Sequence, residues 1–135
     1  MKTDHRATAS QMITGLIFIV AGANHFWHPA FYQRIIPTHF PGPSALVWIS
    51  GFFEMLGGVG LLIAPLRRWA AWGLIFLLLA VFPANIYMAI DADRFADLHL
   101  PVWTLWARLP LQGLMIAWVW WIGRTNPKRA DRCRK

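Results

Sequence analysis

The chain has 135 residues, a length for one domain; 57% are hydrophobic, only 14% are charged, nine are tryptophan, and the mean hydropathy is +0.43. A soluble domain this small would leave much of that apolar surface in water, so composition excludes the ordinary soluble class and points to a bilayer. The net charge of +7 then reads as lysine and arginine facing anionic lipid headgroups, not as a nucleic-acid patch.

About 20 apolar residues cross a hydrocarbon core of roughly 30 Å. Four stretches meet that length, at about 10–27, 44–64, 69–90 and 102–123, followed by a basic tail, 124–135. Backbone in lipid must satisfy its own hydrogen bonds, so each should be a helix. The expected fold is an all-α polytopic membrane protein: one domain, 1–135, built as a four-transmembrane-helix bundle. Ala21-Gly22-Ala23 could pass for a signal-peptide cleavage site. The apolar stretch runs on to Trp27, however, and Gly15, Phe18, Gly22 and His25 share one helical face.

The connections differ in chemistry. The first, HPAFYQRIIPTHFPGP, carries four prolines and a glycine; the second is PLRR; the third, DADRFADLHLP, is acidic. In the first, Phe31, Tyr32, Ile35 and Ile36 surround Arg34 in a segment suited either to lie over the bundle mouth as a short amphipathic turn or to form an ordinary solvated loop. Lys2, Arg6, Arg67, Arg68, Arg124, Lys128, Arg129, Arg132, Arg134 and Lys135 all fall on one side of a four-span chain. Arg34 and Arg94 fall on the other. The positive-inside bias therefore puts both termini in the cytoplasm and loops one and three outside. Tryptophan favours the two interfaces, and all nine lie near predicted span ends. The one cysteine, Cys133, belongs to the tail; with no C-x-x-C the chain cannot by itself run dithiol exchange.

Polar residues inside the spans locate a site. An arginine at a helix centre costs about 2.5–3.5 kcal/mol on insertion scales, so Arg108 should face the bundle. Gln112 shares its face, with Leu105, Met115 and Val119. Pro110 and Pro83 free the carbonyls of Trp106 and Leu79, which a polar interior could satisfy. Glu54 is the one acid within a span; Asn85 follows Pro83, and span one ends in Asn24 and His25. At about 1.5 Å of rise per residue, these groups gather at the outer half or the midplane. Glu54 and Arg108 are the expected ion pair, with Ser50, Gly51, Gly57 and Gly58 allowing close helix approach. Such a pair could clamp a ligand or fix helix register. The expected ligand-binding set is His25, Glu54, Asn85, Arg108 and Gln112, with Asn24 and Arg34 secondary. His25 and His28, with His39 and His99 on the same side, offer no further ligand spacing, so no metal is expected.

The segments AGANHFWHPAFY, SGFFEMLGGVGLL, VFPANIYMA and RLPLQGLMIAW, carrying His25, Glu54, Asn85 and Arg108 in that order, resemble the DoxX-like family of small bacterial membrane proteins. That family takes its name from a subunit of a thiosulfate:quinone oxidoreductase. The resemblance implies a four-helix inner-membrane bundle tied to a membrane redox or oxidative-stress system. It also implies quinone, or a similar amphipathic molecule, as ligand. No catalytic residue carries over, and no redox cofactor is expected to be built in, so electrons would come from a partner protein. A non-catalytic assembly or stability factor, binding lipid or another membrane protein, is the alternative; a homo-oligomer is compatible with either reading.

Overall fold

The computed structural model describes the backbone of residues 2–38, 40–98 and 101–125 and the side chains of 9–38, 40–95 and 101–125. Predictions that fall on His39, His99, the side chains of Lys2 and Arg6, and the tail with Cys133 lie outside the described residues. The described chain is helical: α1 Lys2–Trp27, α2 Pro29–Ile35, α3 Pro43–Leu62, α4 Arg67–Ile90 and α5 Val102–Arg124, with a 3-10 segment at Ala92–Leu98.

Prolines set most boundaries. His28, ahead of Pro29, leaves the helical region (φ −127°, ψ 56°) and ends α1. Pro29 occupies the first turn of α2, where its missing N–H costs nothing, and Ile36 turns extended before Pro37. Gly42 takes a left-handed φ of 65°, which glycine adopts without strain, and Pro43 opens α3 directly after it. Pro83 and Pro110 are accommodated inside α4 and α5.

Three helical stretches are long and apolar enough to cross a membrane: Ala9–Trp27, Pro43–Leu62 and Arg67–Ile90. The fourth expected span, α5, has 23 residues but falls short in apolarity. Its arginine, glutamine and indole-rich sequence lowers its hydropathy without shortening it.

The long helices pack in the order α1, α3, α4, α5. Glycines set the closest approaches. Gly15 and Gly22 of α1 lie against the backbone of Gly58 and Gly51 of α3, while Gly57 and Gly60 of α3 face Leu74 and Ala70 of α4. α1 meets α5 through Thr14, whose hydroxyl accepts from Trp118 Nε1 at 3.0 Å, and through Gln11, which donates to Thr125 Oγ1 at 2.7 Å.

Two apolar clusters hold the ends. Phe18, Leu61, Leu74, Val119 and Ile122 fill the end near the α3–α4 turn. Ile35, Met88, Ala89, Phe95 and Leu105 fill the opposite end, joining α2, α4, the 3-10 segment and α5. The outward faces are also apolar: Phe52, Phe76 and Leu114 are 56%, 67% and 64% exposed. All nine indoles are exposed, from 44% at Trp72 to 80% at Trp27. A chain that turns hydrocarbon outward on every long helix is built for lipid, not water.

Candidate ligand-binding cavity

Between the two apolar clusters lies a cavity of about 700 Å³. Every helix contributes to it. α1 supplies His25, α3 supplies Glu54, α4 supplies Asn85, and α5 supplies Arg108 and Gln112, so all five residues of the expected ligand-binding set line one space. The remaining walls are mainly apolar: Phe18, Val47, Leu77, Val81, Leu111 and Met115 among them. The expected inward face of α5 is also present, with Leu105, Gln112 and Val119 buried and Arg108 and Met115 half-buried.

At the α1–α3 wall, the bare backbone of Gly51 lets the β-carbon of His25 ride directly over it. Glu54, one turn further along α3, then meets the imidazole: His25 Nδ1 lies 3.4 Å from Glu54 Oε2. Nδ1 also lies 3.0 Å from the Ala21 carbonyl oxygen. A carbonyl can only accept, so Nδ1 carries the hydrogen and donates it to Ala21, with the Glu54 carboxyl group beside it. No described residue hydrogen-bonds Nε2. Tyr32 of α2 stacks on the ring at 3.8 Å between centroids, and its hydroxyl accepts from Asn24 Nδ2 at 2.9 Å.

The α4–α5 wall is a separate network. Asn85 Nδ2 donates to Gln112 Oε1 at 2.7 Å, and Gln112 Nε2 donates to the Leu78 carbonyl. That carbonyl lies in the turn that Pro83 disturbs, one residue before the Leu79 carbonyl expected to be freed. Arg108 Nη1 donates to Met88 Sδ at 3.4 Å. A thioether is a weak acceptor, poorly matched to a guanidinium.

The expected Glu54–Arg108 ion pair is therefore not formed; among the described residues Glu54 pairs with His25. The reason is the order of the helices. α4 stands between α3 and α5, so Arg108 reaches Met88 of α4 first, whereas α1 packs directly on α3. Both groups line the same cavity, but from helices that α4 separates.

The secondary residues lie outside the cavity. Asn24 holds Tyr32, and the exposed Arg34 donates through Nη2 to the Arg94 carbonyl at 3.2 Å. This contact ties loop one to loop three, while Phe31, Tyr32, Ile35 and Ile36 line the cavity. His28 is exposed. Among the described residues no indole lines the cavity, so ring stacking inside it falls to Tyr32 and the phenylalanines.

A family model for a domain of unknown function (DUF8561) matches residues 14–123, which is most of the chain. The chain belongs to the DUF8561 family. No curated protein and no solved structure matches it. The DUF8561 match encloses every residue that lines the cavity, from Phe18 to Met115, so the cavity lies wholly within the matched part of this chain.

Sequence reasoning missed Tyr32 as a partner of His25 and Met88 as a partner of Arg108. It also read Arg67 purely as a topological charge. Arg67 is in fact buried: Nε donates to the Leu61 carbonyl at 3.1 Å and Nη1 to the Thr125 carbonyl at 3.3 Å. It thereby caps the C-terminal ends of α3 and α5 together, where the helix dipoles favour a cation. The sequence signal was its place, immediately after one helix end and at the start of the next.

Proposed function

We propose that this DUF8561 protein is a multi-pass inner-membrane protein that binds an amphipathic small molecule in its central cavity. In this reading α5 crosses the bilayer with α1, α3 and α4. Both termini and the α3–α4 turn face the cytoplasm, and the cavity opens in the periplasmic half. The outward face of α5 is apolar, with Leu111, Leu114 and five exposed tryptophans, which favours its placement in lipid.

The observation that carries the proposal is Arg108, a guanidinium among apolar walls whose bonded acceptor is a thioether. Intramembrane cations without an acid beside them mark ligand or ion pathways. A cavity of this size, mainly apolar with a few convergent polar groups, matches the usual build of small-molecule sites. A ligand oxygen would accept from Arg108, with Asn85 and Gln112 beside it, while the His25–Glu54 pair on the facing wall offers a proton-handling group. The DoxX-like resemblance supports quinone as the ligand class and a membrane redox or oxidative-stress system as the setting, with electrons supplied by a partner protein.

Mass spectrometry of small molecules retained by the gently purified protein tests this. Co-purified quinone, lost on Arg108→Gln in protein that remains folded, is the expected result. Retention of nothing beyond bulk phospholipid would overturn it.

A further inference from the structure

The way into the cavity is through its side. α3 and α4 touch closely near the turn that joins them, at Gly57–Leu74 and Gly60–Ala70. Toward the other end, cavity-lining residues of both helices are exposed: Leu46 and Ile49 on α3, Ala80 and Pro83 on α4. The axial mouth, by contrast, is covered by α2, with Ile35 and Pro37 buried. Helices that meet at one end and expose the cavity wall at the other leave an apolar crevice facing lipid. A molecule dissolved in the bilayer reaches Arg108 without crossing water.

The crevice and the charge define the occupant. Glu54 is engaged by His25, and Arg108 has a sulfur in place of a carboxylate. The polar groups on the α4–α5 wall, Asn85 and Gln112, bond each other and the Leu78 carbonyl. The unmet requirement is thus for an anionic acceptor at the guanidinium, where fork-shaped donors match a carboxylate. We infer that the cavity takes a single-chain amphiphile with an acidic headgroup, its carboxylate on Arg108 and its chain leaving between Ile49 and Ala80 into the bilayer. This inference rests on the ligand-binding reading above and narrows it from any amphipathic acceptor to an anionic one.

The probe is cis-parinaric acid, a fluorescent polyene fatty acid, titrated into the full chain in lipid nanodiscs, with its methyl ester and a short-chain ubiquinone as comparators. Charge-assisted hydrogen bonds make the acid bind about ten-fold or more tighter than the ester. Arg108→Gln should remove that difference and Arg108→Lys should restore part of it, while thermal unfolding checks that both variants fold. Ile49→Trp and Ala80→Trp alter exposed positions and narrow the crevice; each should weaken binding of the acid. Equal affinity for acid and ester, or tight binding of the ubiquinone alone, would overturn the anionic inference and leave the cavity reading standing. Unchanged binding in both crevice variants would overturn the lateral route. Binding of none of the three probes would overturn both readings.

Discussion

His25 on α1 sits 3.4 Å from Glu54 on α3 because Gly51 has no side chain to hold the helices apart. A β-carbon at position 51 would lie 2.6 Å from that of His25 and 2.9 Å from the Gly22 carbonyl oxygen. Gly51→Ala should therefore push α1 from α3 and cost about 1–3 kcal/mol, the usual range for overpacking. Gly73 is the internal control: it sits inside α4, and a methyl added there would meet nothing within 4 Å. Gly73→Ala should be neutral or stabilising by up to about 1 kcal/mol. Unfolding of both variants in mild detergent measures the contrast, and equal effects would refute the close-approach argument.

The same contact makes a prediction about coupling. A double-mutant cycle on His25→Ala and Glu54→Gln should show a coupling of about 0.5–3 kcal/mol, the range for residues in contact. The cycle on Glu54→Gln and Arg108→Gln should be nearer to additive, since no ion pair joins them. Larger coupling in the second cycle than in the first would restore the pairing that the sequence suggested.

That sequence reasoning gathers residues that share one cavity but names the wrong ion pair is a matter of geometry. Hydropathy and proline placement locate the long helices, with most ends within a few residues: the first begins earlier, at Lys2, and the last ends at Arg124 instead of Gly123. Rise per residue then places His25, Glu54, Asn85 and Arg108 between the outer boundary and the midplane, and all four do line one cavity. Depth says nothing of which helix stands beside which. That order follows from glycine contacts such as Gly22–Gly51, visible as a pattern of small residues but not as a named partner. The seven residues of α2 are legible as an amphipathic segment over the mouth. They are too few for periodicity to mark a helix.

Arg67 should matter to stability far more than its neighbour. Arg67→Ala removes donors from the Leu61 and Thr125 carbonyls, at a cost of about 1–3 kcal/mol, mostly from the buried Leu61 acceptor left unpaired. Arg67→Lys should recover only part of this, because one ammonium cannot reproduce a fork reaching two helix ends. Arg68 is exposed, and Arg68→Ala should stay within about 0.5 kcal/mol. Chemical denaturation of the three variants separates a structural arginine from a merely topological one.

Topology itself can be read with single cysteines. With Cys133 replaced by serine, Thr38→Cys in loop one and Asp93→Cys in the 3-10 segment should react together with an impermeant maleimide added to intact spheroplasts, since Arg34 reaches the Arg94 carbonyl and binds those two loops at one end. Arg68→Cys should react only after permeabilisation. Native Cys133, tested alone, decides whether α5 crosses. A crossing α5 puts Cys133 on the same side as Arg68, protected until the membrane is opened. Labelling of Cys133 in intact spheroplasts would leave α5 on the outer surface. The cavity would then be a shallow interfacial cleft, and Arg108 would be hydrated instead of waiting for a ligand.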